Sequence, residues 1–353
     1  MIDRLPALDG LRAVAVLIVI GSHIVSPIFP GQFGVTLFFF ISGFIITRML
    51  LQEQAASLAA FYVRRFFRLY PALLFYVVCS IGGAMLIGGR VEWRHALAAL
   101  LFFINYLEPV GVSGFLTHTW SLAIEEHFYL VFPLLVVLLR GRLIWAVLAF
   151  MVGCLAMRAL ALGTASPSQI MGMTHFRVDS IAWGCWVSVM IHRSAEPGVR
   201  KVLELMSTPV AVMFAALLLV ASFAVRDDTF RLTLRFTCQA LAFAIFFIAI
   251  FWRQARNPIV SVLEWRGLGY IGLISYSLYL WHMFGRMIAY RLGYEIGPMV
   301  LIALPITVLA SLFSYYCIES PSRRFGVRLA KRITDRSARA GRAELAGPLP
   351  LER

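Results

Sequence analysis

Carboxylates are scarce in this chain. Its 353 residues carry 18 Asp and Glu against 32 Lys and Arg, and charged residues of both signs make up only 14%. Soluble domains are about a quarter charged and roughly half apolar. Here 60% of residues are hydrophobic and the mean hydropathy is +0.82. This excludes an ordinary soluble enzyme and implies a polytopic membrane protein. The net charge of +14 does not point to nucleic acid: the basic residues lie between apolar segments, where the positive-inside rule accounts for them. Cysteine is scarce as well. The five (Cys79, Cys154, Cys185, Cys238, Cys317) are odd in number, lack metal-ligand spacing and sit in apolar stretches. They read as small core residues, which excludes a disulfide frame and a zinc site. No P-loop, HExxH, GxSxG or dinucleotide glycine fingerprint is present, so nothing indicates ATP use or a metal. A cleavable leader is not expected either: Asp3 and Arg4 precede an apolar segment without a small-residue cleavage site.

What is abundant is apolar runs. A helix needs about 20 apolar residues to cross a bilayer. Candidates lie at 11–29, 33–51, 71–88, 120–139, 143–162, 178–192, 207–225, 232–252, 268–290 and 298–318. The expected fold is all-α, with about ten transmembrane helices. A shorter run, "HALAALLFFINYL" at 95–107, is expected to be re-entrant or interfacial. With that run not crossing and both termini cytoplasmic, most of the Lys and Arg fall on the inner side; if it crossed, the basic C-terminal tail would face outward, against the rule. The expected organisation is a transmembrane domain over 1–325 and a basic, partly disordered cytoplasmic tail over 326–353. Residues 55–70, "AASLAAFYVRRFFRLY", mix aromatic and basic residues and read as an amphipathic helix on the cytoplasmic surface. No internal repeat is visible, which weighs against inverted-repeat transporters.

Ionisable residues at membrane depth are expensive and often functional. His23 stands inside the first apolar run, eleven residues after Arg12. The two share one helical face, roughly 16 Å apart along the axis. In "TWSLAIEEHFYLVFPLL", Glu125, Glu126 and His127 fall near the outer end of a span, where either carboxylate could orient or charge-stabilise a histidine. The bland alternative is an interfacial cap with Trp120 and Tyr129 as belt residues. Asp179 in "FRVDSIAWG" marks the outer end of another span; its bland reading is a cap or an ion pair with Arg177. Ser275, Tyr279 and His282 form one mid-membrane stripe, which would also suit a hydrogen-bonded helix contact. Arg65 and Arg68, one turn apart in "RRFFRLYP", suit phosphate oxygens, whether of a ligand or of lipid headgroups.

Six segments, "LDGLRAVAVLIVIGSHI", "GVTLFFFISGFIITRMLL", "FYVRRFFRLYPALL", "WSLAIEEHFYLVFPLL", "FRVDSIAWG" and "SYSLYLWH", stand in the order seen in the acyltransferase-3 family. Over about residues 5–325 the chain resembles these integral-membrane acyltransferases, best known for O-acetylating bacterial surface polysaccharides, lipopolysaccharide included. The resemblance implies ten membrane helices, a bacterial inner membrane, a cytoplasmic acyl-CoA donor (most simply acetyl-CoA) and, in many members, an acceptor on the far side. The family's arginine, ten residues, then histidine pattern matches Arg12 and His23. Its paired arginines match Arg65 and Arg68, and its Trp-Ser-Leu and Glu-Glu block matches Trp120, Ser121, Leu122, Glu125 and Glu126. The block usually continues with Gln; His127 stands here. Some members carry a fused extracytoplasmic esterase-like domain. None is visible in this chain, which would then complete the transfer alone.

The resemblance assigns roles. Arg12, Arg65 and Arg68 would hold the phosphates of CoA, with the acyl arm reaching along the first helix towards His23. His23 would be the base that takes the proton from an acceptor hydroxyl; an acyl-imidazole intermediate on it is the other route. Glu126 or Glu125 would orient His23. Asp179, Tyr279, His282 and Trp120 are candidates for holding a glycan or lipid-linked sugar acceptor. Two rivals remain at this point: an intracellular small-molecule acceptor such as a macrolide, and a proton-coupled transporter whose relay uses the same buried groups.

Overall fold

The computed structural model describes residues 5–52, 58–86, 93–107, 114–252 and 258–345. Among them every regular element is a helix. In chain order these are α1 (Pro6–Ile20), α2 (Gly31–Gln52), α3 (Leu58–Leu86), α4 (Trp93–Leu100), α5 (Ile104–Leu107), α6 (Trp120–Leu139), α7 (Leu143–Leu160), α8 (Pro167–Gly172), α9 (Thr174–Arg177), α10 (Asp179–His192), α11 (Pro197–Met206), α12 (Pro209–Ala224), α13 (Asp228–Leu232), α14 (Leu234–Phe247), α15 (Pro258–Leu263), α16 (Arg266–Leu273), α17 (Ser275–Arg291), α18 (Val300–Phe313) and α19 (Ser320–Leu345). α1 continues as a π-helical turn over Gly21–Val25, and Thr117–Thr119 form a 3-10 turn before α6.

Seven helices among the described residues are long and apolar enough to cross a membrane, or eight if the pair α11 and α12, bent by 61°, counts as one span. Ten apolar runs were expected. The difference lies in α10 and α17, of 14 and 17 residues. Both are short and dense in polar side chains because they carry the interior of the bundle: Asp179, Ser180 and His282 on them are fully buried. The run at 95–107 folds into α4 and α5, of eight and four residues, too short to cross. Between them Phe102 adopts φ 58°, a left-handed conformation that a non-glycine residue holds only when its surroundings impose it.

The surface helix expected over 55–70 does not form as such. From Leu58 it is the first part of α3, which runs unbroken through Pro71 for 29 residues, about 43 Å. Its amphipathic face has a partner within the chain: α19 packs along it, with Phe67 and Phe325 5.0 Å apart and Phe67 against Gly326. The C-terminal segment correspondingly continues as helix to Leu345; residues 55–57, 87–88 and 346–353 of these expectations lie outside the described residues. Of the five cysteines, Cys154 and Cys185 are buried, whereas Cys317 is exposed on the outer surface of the bundle, not in the core.

α2 crosses α10 at backbone contact. A Cβ on Gly43 would stand 2.0 Å from the Ile181 carbonyl oxygen, and one on Gly184 would stand 1.9 Å from that of Phe40. Small residues that let backbones touch are the common device of membrane helix pairs, where burial from water contributes little. This contact fixes α2, which supplies one wall of the site.

Candidate active site

α1, α2, α3, α6, α17 and α19 enclose a cavity of about 250 Å³. At one end stand Arg12, Arg64, Arg68 and Arg323; the walls are apolar, among them Val35, Phe38, Ile45, Met49, Phe61 and Leu69. Arg12 comes from the first turns of α1, Arg68 from the buried face of α3, and Arg323 from the start of α19. Among the described residues no carboxylate oxygen lies within 4 Å of Arg12, Arg68 or Arg323. Several guanidiniums converging on one opening make a receptor for a multiply charged anion.

Arg65 behaves differently from Arg68. Its Nε donates to Glu126 Oε1 at 3.1 Å, its Nη2 lies 3.5 Å from Glu125 Oε2, and its guanidinium lies 3.5 Å over the Tyr129 ring. Glu125 also accepts from Ser42 and Tyr129. The two carboxylates therefore neutralise Arg65 rather than orient His23, and they do not lie at the opposite face from it. The cause is the path of the chain before α6. α4 and α5 fold back, so α6 starts inside the bundle. His118, just before it, meets the Tyr76 ring at 5.5 Å, about 27 Å along α3 from Leu58. About two turns later, Glu125 and Glu126 reach the level of Arg65.

At the far end of the cavity Tyr279 and Ser121 form its floor. Tyr279 Oη donates to the His118 carbonyl at 2.8 Å, which leaves the Ser121 hydroxyl to donate to Tyr279 Oη at 2.6 Å. Beyond this floor lie three histidines. The His282 ring is 5.1 Å from that of His23 on one side and 5.1 Å from that of His118 on the other. His23 sits in the π-helical turn that ends the first helix, and its Nδ1 donates to the Val19 carbonyl at 3.0 Å. This bond fixes the neutral ring with its lone pair on Nε2, the state a general base needs. Single π-helical turns frequently mark functional positions because they re-aim one side chain out of helical phase. His23 is part-buried and is not among the cavity-lining residues. The structure thus brings Arg12, Arg68, Glu125, Tyr279 and, one step deeper, His282 and His23 into one continuous arrangement.

The other candidates lie elsewhere. Trp120 is buried edge-on against Phe39, with ring centroids 6.3 Å apart, and does not line the cavity. His127 Nδ1 bonds Thr174 at 2.7 Å, towards α5 and α9. Asp179 is fully buried in an ion pair with Arg158 Nη2 at 2.7 Å, and the same guanidinium donates to Thr237 and to the Phe176 carbonyl. Its expected partner Arg177 instead bonds Thr36 and stacks 3.5 Å over Phe236. Asp179 is therefore a packing element of α7, α10 and α14, not part of the cavity wall. Reading the sequence missed Arg158, Arg323 and His118. Each left a trace: Arg158 is a lone arginine in an apolar run, Arg323 opens a basic run after a span, and His118 lies two residues before Trp120.

A family model described as an acyltransferase domain matches residues 5–319. The O-acetyltransferase OatA of Staphylococcus aureus, from strains NCTC 8325 / PS 47, COL and MRSA252, is 29% identical over 353 aligned residues, covering 92% of this chain and 58% of the relative. The chain thus spans little more than half the length of the curated relatives it matches. No solved structure matches it. With six motifs in family order, and the family model running from the start of α1 to the end of the last apolar run, the chain belongs to the acyltransferase-3 family of membrane proteins.

Proposed function

We propose that this protein is a membrane-embedded O-acyltransferase that takes an acyl group, most simply acetyl, from cytoplasmic acyl-CoA and passes it to a hydroxyl of a glycan or lipid-linked sugar in a bacterial inner membrane. The name of the staphylococcal relatives, O-acetyltransferase, supports the acetyl group and the oxygen acceptor. The observation that carries the donor is the cavity itself: a cluster of arginines at the mouth, apolar walls, and a hydroxyl floor next to histidines. About 250 Å³ is less than pockets that enclose a whole drug-sized ligand, roughly 300–1,000 Å³. The phosphorylated head therefore stays at the mouth, held by Arg12, Arg68 and Arg323, and only the narrow arm with its thioester enters. The mouth faces the cytoplasm, with both chain termini on that side.

In the reaction, the acceptor hydroxyl gives its proton to His23 Nε2 as its oxygen attacks the thioester carbonyl. The carbon–sulfur bond breaks, and the sulfur leaves with the proton as free CoA. The test is binding. Isothermal titration of the protein in nanodiscs with CoA, dephospho-CoA and pantetheine should give affinities that fall in that order. Arg68→Gln and Arg323→Gln should weaken CoA at least tenfold and leave pantetheine unchanged. Equal affinity for CoA and pantetheine would remove the proposed donor.

A further inference from the structure

His282 is fully buried. Its Nδ1 lies 2.6 Å from the Tyr279 carbonyl on its own helix and donates to it. That places the lone pair of the neutral ring on Nε2, which finds no hydrogen-bond partner among the described residues. A buried acceptor left alone is destabilising and calls for a reason. One of its two neighbouring rings is that of His23, centroid to centroid 5.1 Å and tilted by 44°. Both rings have turned Nδ1 to a carbonyl of their own helix, so both Nε2 atoms point away from their backbones. Two lone pairs have nothing to share. Once His23 Nε2 has taken a proton, one N–H can serve both.

We propose that His282 is a positioning residue for the transfer step: its Nε2 accepts a hydrogen bond from the imidazolium of His23 while the proton taken from the acceptor hydroxyl waits for the departing sulfur. This rests on the acyltransferase reading of the site and adds to it a second ring. The proton leaves the acceptor oxygen, resides on His23 Nε2 within the N–H···N bond, and passes to the sulfur as the carbon–sulfur bond breaks. Nothing else is consumed. His118, whose ring is also 5.1 Å from that of His282, stands perpendicular to it at 83°, and neither of its ring nitrogens has a hydrogen-bond partner among the described residues.

The charged and titratable groups that face His23 are few. α17 supplies His282 and the guanidinium of Arg286, and the turn before α6 supplies His118. α2 has one titratable side chain, Arg48, near its other end, and α18 has none. The loop after α17, which bonds the Ile24 carbonyl through Gly297, carries Tyr294 and Glu295, both exposed. Among the described residues no carboxylate is placed to stabilise the imidazolium, so a neutral ring accepting its proton supplies that role. Hydrogen bonding to a charged form favours that form.

The experiment uses the full chain in nanodiscs with acetyl-CoA and a glycan acceptor, following CoA release across pH. His282→Asn keeps a donor near the Nδ1 position and removes Nε2. It should lower kcat at least tenfold, leave KM for acetyl-CoA unchanged, and move the acid limb of the kcat/KM profile to lower pH. His282→Gln places an amide oxygen near Nε2 and should recover part of both. An unmoved limb or a normal kcat in His282→Asn overturns the proposal. A purely structural role would lower the amount of folded protein without moving the limb. A second test needs no variant in the wild-type reading: in protein labelled with ¹⁵N-histidine and held below the acid limb, a coupling across the N–H···N bond should appear, and it should vanish in His282→Gln. Its absence from the wild type also overturns the proposal. If the wild type releases no CoA at all, the function reading fails and not this one alone.

Discussion

Asp179 is where two accounts of the protein part most sharply, and a pair of variants separates them. The sequence offers it as an acceptor-binding carboxylate; the structure ties it to Arg158 at 2.7 Å, with both side chains fully buried. Removing one member of such a pair leaves an uncompensated charge and typically costs about 3–5 kcal/mol, whereas replacing both with apolar residues of similar size is often neutral or stabilising. Asp179→Leu strands Arg158, although two of its hydrogen bonds, to the Phe176 carbonyl and to Thr237, survive. The buried Arg177 nearby adds to the uncompensated positive charge. A loss of about 3 kcal/mol or more is therefore expected for the single variant. Arg158→Met combined with Asp179→Leu should recover most of it. The assay is unfolding in detergent micelles by added denaturant, followed by tryptophan fluorescence, with acyl transfer measured on the folded fraction. The double variant should retain transfer, because neither residue lines the cavity. Two results would refute the reasoning: a single variant within about 0.5 kcal/mol of wild type, the usual range for inconsequential surface changes, or a double variant that folds fully yet transfers nothing.

Other predictions concern the cavity and the packing that shapes it. Tyr279→Phe removes the hydroxyl that links Ser121 to the His118 carbonyl; leaving these groups unpaired should cost about 1–3 kcal/mol of stability, seen as a lower denaturant midpoint. Raising ionic strength screens the exposed part of the arginine mouth, so KM for acyl-CoA should rise with salt, and less so in Arg12→Gln; a KM indifferent to salt would contradict a phosphate role. Gly184→Leu forces a side chain into the Phe40 carbonyl and should abolish monodisperse protein on size exclusion. Gly82→Ala meets nothing within 4 Å and should be neutral, or stabilise by up to about 1 kcal/mol, as read by the same denaturant titration.

The class of fold was written in composition, since a chain this apolar and this poor in charge has few alternatives to a helical bundle in lipid. The helices that carry the interior were harder to read. The sequence offers α10 and α17 as apolar runs, yet as helices they are only 14 and 17 residues long and dense in polar side chains, because their neighbours are other helices. The basic and aromatic stretch before Pro71 reads as a water-facing edge, because the sequence does not display that α6 supplies carboxylates to Arg65 or that α19 folds back against Phe67. Arg12, Arg68 and Tyr279 were legible as candidates and meet in one cavity. Glu125 and Glu126 were found too, but with the wrong partner. Depth counted from the start of an apolar run misplaces them, because α6 begins inside the bundle after a folded-back segment. Arg158 was invisible as a partner of Asp179 because nothing along the chain says that α7 and α10 are neighbours.

The central claim is that acyl-CoA enters at the arginine mouth and that His23 deprotonates the acceptor beyond the cavity floor. The most direct measurement is made on purified protein in nanodiscs supplied with [¹⁴C]acetyl-CoA and a bacterial lipid-linked glycan. Thiol release and alkali-labile label in the glycan are counted side by side for wild type and for His23→Ala at matched folded protein. The account predicts equal amounts of free thiol and glycan ester from wild type, and loss of both by about a hundredfold or more in His23→Ala, in line with the contribution of a general base. Normal ester formation by a well-folded His23→Ala protein would contradict it.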